Sequence, residues 1–175
     1  MIKKVLMIST LLLLFMVGIT QATDSESNEE KINLQQGMKM SADVSKQAPE
    51  FSLRTLEGNE VKLSDYKGKK VIINFWATWC PPCKAEMPAM QKLYERVNGQ
   101  FDLLAINIDP KNDVAGFVND NRITFPVLLD ESGKINESYS ILSVPTTFLV
   151  DEKGIIVKKH IGAMTLDQME EFISY

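Results

Sequence analysis

The sequence predicts an α/β fold with a largely parallel central sheet, and three observations predict it. Apolar runs such as "VIINFW" at 71–76 and "FDLLAINID" from Phe101 have the composition of strands buried on both faces. Between them Met87, Met90, Leu93, Tyr94 and Val97 recur at helical spacing, so that strand, helix and strand alternate. Near the C-terminus "TTFLVDEKGIIVKKHIG" alternates in polarity around 151–154, the pattern of an antiparallel hairpin added to that sheet.

The elements follow in order. Lys3 and Lys4 precede fifteen uncharged residues, "VLMISTLLLLFMVGI", and "TQA" then ends on the small Ala22. A basic start, an apolar middle and a small-residue exit read as an export signal over residues 1–22, either cleaved near Ala22 or kept as a membrane anchor. No cysteine lies near residue 22, which excludes a lipid-modified cysteine anchor. Residues 23–46 are polar, with acids early, and read as a tether. Residues 47–175 read as the globular domain.

In that domain "FSLRTLEGNEVKL" predicts two short strands around a turn at 57–59, and "LSDYKGKK" a loop or short helical turn. The 71–76 strand and a helix ending at Asn98-Gly99 follow, with Pro88 inside that helix expected to kink it. Next come the strand from Phe101, a short helix in "NDVAGFVNDN", a strand in "PVLLD" and a short helix in "KINESYSI". After the hairpin, "TLDQMEEFISY" reads as a helix whose Thr165 and Gln168 have capping-box spacing.

Net charge is −4, and −6 without residues 1–22 and their two lysines (17 − 23). No basic patch interleaved with aromatics is visible, so nucleic acid is not an expected partner.

The chemistry concentrates in "NFWATWCPPCKAE" at 74–86, which holds the only two cysteines, Cys80 and Cys83. A disulfide staple acts by closing a loop of the unfolded chain, and this loop is too short to constrain much. Structural zinc usually needs four ligands, and the single His160 cannot complete a set, so no metal is expected. A C-x-x-C between a buried strand and a helix in a βαβ pattern instead reads as a redox motif. Glu86 has two readings at this level: a solvated acid in the first turns of a helix, or a partly buried carboxylate one turn beyond Cys83. Trp76 reads as core, and Trp79 as an apolar surface beside Cys80. His160 reads as a packing or surface residue of the hairpin.

"NFWATWCPPCKAEMP", "VPTTFLVDEKG" and the entry "APEFSLRTLEGNEVKLSDYKGKKVIINFW" resemble the extracytoplasmic thioredoxin-like thiol–disulfide oxidoreductases of the ResA/TlpA family, over roughly 47–175. The resemblance implies a thioredoxin fold with an N-terminal β-hairpin and an inserted strand–helix unit, lying here at 111–126. It implies a Cys80–Cys83 dithiol/disulfide pair, catalytic participation of Glu86, and a cis peptide bond before Pro145 in a loop that binds substrate. It also implies an extracytoplasmic protein that needs no cofactor and contacts the membrane through its N-terminal segment. Such a protein would act as a monomer and reduce disulfides in exported proteins, apocytochrome c for example. A membrane thiol-transfer protein would recharge it.

The residues give these roles a physical form. A helix that begins at Pro81 puts Cys80 at its mouth, near unsatisfied N–H groups and the positive end of the dipole, where a thiolate is favoured. Cys83, one turn in, suits resolution of a mixed disulfide. Pro81 and Pro82 occupy the first helical turn, where a missing N–H has no intrahelical partner to lose. They leave the Cys83 N–H as the first local donor for a Cys80 thiolate. Trp79 and Pro145 are the expected substrate-binding residues. An oxidase using the same pair, a thioredoxin-fold peroxidase and a non-catalytic binding module are the alternatives. The peroxidase would need a threonine three residues before the attacking cysteine, where Ala77 stands.

Overall fold

The structure is a computed structural model that describes residues 42–97 and 99–174. The signal and most of the tether lie outside the described residues. Among those described, no helix is long and apolar enough to cross a membrane. Residues 42–46, the end of the expected tether, lie against the C-terminal hairpin. There Ala42 is buried, the Ser45 N–H donates to the Ile156 carbonyl and the Ile156 N–H to the Lys46 carbonyl.

Seven strands form one sheet in the order β2-β1-β5-β4-β3-β6-β7. They are β1 (Ser52–Thr55), β2 (Glu60–Lys62), β3 (Lys70–Trp76), β4 (Phe101–Asn107), β5 (Val127–Leu129), β6 (Thr146–Val150) and β7 (Ile156–Ile161). The helices are α1 (Pro81–Val97), α2 (Val114–Asp120), α3 (Lys134–Ser138) and α4 (Leu166–Ile173), with a 3₁₀ turn at Leu63–Tyr66. Pairing is parallel only between β3, β4 and β5. Both flanks are antiparallel, so a parallel centre of three strands carries the expected hairpins at either side. The tight turns at 56–59 and 151–155 return the chain at once and pair β1 with β2 and β6 with β7 antiparallel.

Strand alternation divides the core between the faces of the sheet. From β3, Ile72 and Trp76 face the layer holding α1 and α4, with Met87, Met90, Leu93 and Met169. Val71, Ile73 and Phe75 face the opposite layer, with Tyr139, Phe148 and Leu128. In that second layer the Tyr139 ring lies 5.0 Å from Phe75 and 5.4 Å from Phe148, and its hydroxyl donates to the Pro49 carbonyl at 2.8 Å. The period of two puts Asn74 on the α1 side.

Between β4 and β5 the expected insert contributes α2, whose cap Asp113 accepts from the Gly116 N–H at 2.8 Å. The strand of that unit is β5, which begins at Val127, just past the 111–126 segment. Gly99, at φ 83°, follows the end of α1 in the left-handed conformation that glycine adopts without strain. Pro88 lies inside α1, where its ring supplies no N–H for the carbonyl one turn back. Thr165 and Gln168 form the capping box at the start of α4.

Candidate active site

The β3 strand ends at Trp76, and the chain turns into α1 through residues 77–80. The Cys80 N–H donates to the Ala77 carbonyl at 3.3 Å, and the Cys80 carbonyl accepts from the Lys84 N–H at 3.1 Å. Cys80 is therefore the cap of α1, with Pro81, Pro82 and Cys83 as its first three helical residues. A cap side chain accepts from the second or third N–H of its helix. Pro82 has none, and the Cys83 N–H reaches the Cys80 sulfur at 3.2 Å. Sulfur stands where a serine or aspartate oxygen would otherwise sit. The two cysteines form a disulfide with their Cα atoms 5.3 Å apart, and both are buried.

Opposite Cys80 lies the loop before β6. The Val144–Pro145 bond is cis, as the resemblance implies. The Val144 carbonyl oxygen is 3.5 Å from the Cys80 sulfur. The loop is held on both sides: Thr146 Oγ1 donates to the Ser143 carbonyl at 2.7 Å, and the Gly162 N–H donates to the Pro145 carbonyl at 2.9 Å. Trp79, next to Cys80, is 62 % exposed, whereas Trp76 is wholly buried and stacks at 5.0 Å on Phe117 of α2. His160 is half-buried on β7 beside the Phe172 ring.

Glu86 resolves in favour of burial. It is 1 % exposed on the inner face of α1, one turn beyond Cys83. Asn74 Nδ2 donates to its Oε1 at 3.0 Å, and the Met164 N–H donates to its Oε2 at 3.1 Å. Burial pushes its carboxyl up to about 7, against these two hydrogen bonds, which favour the charged form. The carboxyl also borders an open groove of about 440 Å³ between α1 and the 163–166 segment, rimmed by Pro88, Lys92 and Thr165.

Three contributors escaped the sequence reading. Asn74 stands in the run read as wholly apolar, and its amide also donates to Thr147 Oγ1 at 2.9 Å. A polar side chain inside an otherwise apolar strand is itself a signal, because a buried amide must find partners. Asp109 accepts from the Thr78 N–H at 3.0 Å and the Thr78 hydroxyl at 2.5 Å, and from Asn107 and Asn112. It thereby ties the loop that carries Trp79 and Cys80 to the end of β4. The Met164 N–H is a main-chain group and had no side-chain signature.

This frame, a sulfur cap facing a cis-proline loop over a buried acid, can be set beside known proteins. A family model described as the AhpC/TSA family matches residues 44–159. The chain belongs to that family, in its ResA-type thioredoxin-like branch. It is 41 % identical over 176 residues to the thioredoxin-like protein YneN of Bacillus subtilis, covering 98 % of this chain and 97 % of that one. It is 36 % identical over 160 residues to the thiol–disulfide oxidoreductase ResA of Bacillus cereus, covering 90 % and 86 %. The crystal structure of StoA from Bacillus subtilis superposes with a TM-score of 0.64 at 37 % identity, covering 71 % of this chain and 96 % of that one. The enzyme is a thiol–disulfide oxidoreductase with a thioredoxin-like fold.

Proposed function

We propose that this oxidoreductase works outside the cytoplasm as a reductant of disulfides in exported proteins, with Cys80 attacking, Cys83 resolving and Glu86 moving the proton. In the reduced protein the Cys80 thiolate attacks a substrate disulfide. One substrate sulfur leaves as a thiolate and a mixed disulfide forms. Cys83 gives its proton to the Glu86 carboxylate, and its thiolate attacks the Cys80 sulfur. The second substrate sulfur leaves, Cys80–Cys83 becomes a disulfide, and two electrons have passed to the substrate. A thiol-transfer protein of the membrane restores the dithiol. Apocytochromes c, whose cysteines must be reduced before haem attachment, are the substrate class that the resemblance of the motifs around Cys80 and Pro145 implies.

The observation that carries the direction is the scarcity of support for a thiolate at Cys80. A strongly oxidising pair is one whose reduced form is stabilised. Here two prolines leave one nearby donor, the Cys83 N–H, and a carboxylate is buried one turn beyond. Both features weaken the support that the helix mouth gives the thiolate and so favour the oxidised pair, which makes the dithiol a better electron donor. The location rests on residues 1–22, with their basic start and uncharged middle, and the match to YneN runs through that segment.

The test is trapping. Cys83→Ala should accumulate mixed disulfides through Cys80, and their partners should be exported proteins that carry disulfides. In cells the native pair should be mostly reduced. A mostly oxidised pair, with loss of disulfides elsewhere when the gene is deleted, would assign an oxidase instead.

A further inference from the structure

Glu86 sits between two donors, and that arrangement suits only one of its protonation states. Its Oε1 faces the Asn74 amide nitrogen, and its Oε2 faces the Met164 N–H. With the carboxylate ionised, both oxygens are satisfied. Once a proton arrives, the new O–H needs an acceptor, and both groups that face the carboxyl are donors. The Met164 group is main chain and always a donor. Asn74 is different, because its amide carries a donor at one corner and an acceptor at the other. The acceptor, Asn74 Oδ1, is buried and has no hydrogen-bond partner. Buried polar atoms are rarely left so.

We propose that Asn74 is a positioning residue whose amide turns over with the protonation of Glu86, presenting its N–H to the carboxylate and its carbonyl to the acid. Turned, Oδ1 accepts from the Glu86 O–H, and the NH₂ takes the buried corner in which Oδ1 has no partner. Thr147 permits the turn because it is the second partner of the same nitrogen, at 2.9 Å. Its hydroxyl accepts from the N–H in one state and donates to Oδ1 in the other. Asn74 and Thr147 are direct cross-strand partners of β3 and β6, so the register holds them side by side. Glu86 can then take and release a proton without leaving its seat. The inference rests on the reading above, in which Glu86 moves the proton between thiol exchanges.

The surroundings of the carboxyl leave this role to Asn74. Of the titratable groups that α1 carries beside Glu86 and the cysteines before it (Lys84, Lys92, Tyr94, Glu95 and Arg96), only Lys92 rims the groove that Glu86 lines. β3 and β6 present an amide and a hydroxyl, and the 163–166 segment a backbone N–H. Lys158 and His160 of β7 line a separate groove on another side of Met164.

The test is nuclear magnetic resonance on the labelled full chain, with the disulfide intact so that no thiol titrates. The Asn74 NH₂ protons should show contacts to the Glu86 side chain at pH 9 and lose them at pH 5, with the midpoint of the Glu86 carboxyl carbon. Contacts that persist at both pH values while that carbon titrates would overturn the proposal, as would a Glu86 carbon that does not titrate between pH 5 and 9. Asn74→Leu separates a turning amide from a fixed donor: loss of a bond made to the carboxylate alone should raise the Glu86 midpoint by about one pH unit or more, whereas loss of an amide that serves both forms should give a smaller rise. A purely structural role would lower stability and leave the midpoint in place. The proton role of Glu86 fails separately: Glu86→Gln would then leave the pH profile of exchange unchanged while the Asn74 amide of the native chain still turned.

Discussion

Replacing Glu86 by Gln should change not only stability but its dependence on pH. In the unfolded chain the carboxyl ionises near 4.5, and in the fold burial holds it at about 7. Below pH 4.5 both states are protonated and Glu86 contributes nothing to the pH dependence. From 4.5 to 7 the folded state binds more protons than the unfolded state, so stability falls as pH rises. Above 7 both are ionised and the loss is complete. At about 1.4 kcal/mol per pH unit, the gap between the two values amounts to about 3 kcal/mol. Glu86→Gln has no such slope. It carries a constant offset, because its NH₂ must face the Met164 N–H or the Asn74 amide. Urea unfolding at intervals from pH 4 to 8.5, with the disulfide intact, separates the two terms. Relative to the native chain, Glu86→Gln should gain about 3 kcal/mol across that range, whatever its offset. Parallel curves would mean that Glu86 titrates as an ordinary surface acid, and the buried-carboxylate account would fail.

Other perturbations test neighbouring parts. Pro82→Ala restores an N–H at the second helical position, a second donor within reach of the cap sulfur, and should lower the Cys80 pKa read from thiolate absorbance; a rise would refute the cap account. Asp109→Ala strands the donors of Thr78, Asn107 and Asn112 and should cost about 1–3 kcal/mol, while slowing exchange by loosening the loop before Cys80. Burial opposes ionisation of Asp109, but the bonds from Thr78, Asn112 and Asn107 outweigh it and hold its carboxyl below the usual range. Its contribution should therefore persist at mildly acidic pH and disappear only as pH falls through that lowered value. Tyr139→Phe removes the donor to the Pro49 carbonyl and should cost about 1 kcal/mol with an unchanged denaturant slope.

The strands, helices and turns were legible because their signals are local. β3 and β4 announce themselves by composition, α1 by the spacing of Met87, Met90 and Leu93, and α4 by its cap at Thr165. The site was legible only where chemistry and spacing coincide within a few residues, as at Cys80 and Cys83. Asn74 meets Glu86 across 12 residues and Thr147 across 73, and Asp109 meets Thr78 across 31. Nothing near any of them in the chain names the partner. Each run showed that it was a strand, and the hairpin turns named two of the pairings, while the β1–β5 and β3–β6 neighbours are settled by connections outside the runs.

β6 joins the loop that faces Cys80 to the neighbours of Glu86. Pro145 stands two residues before Thr147, the cross-strand partner of Asn74. A slip of one residue in β3 would turn Asn74 toward the Tyr139 and Phe148 rings and leave Glu86 with the Met164 N–H alone of its two donors. In the reduced enzyme a charge on the buried Glu86 carboxylate would oppose a charge on a nearby cysteine sulfur. The reduced enzyme should therefore exchange with a small disulfide over a broad pH profile that fits no single ionisation. As pH rises past about 7, each newly ionised Glu86 makes the next thiolate harder to form. Glu86→Gln should sharpen that profile to one thiol titration and move it to lower pH. A native profile as sharp as that of the variant would show that the carboxylate and the sulfurs do not sense each other.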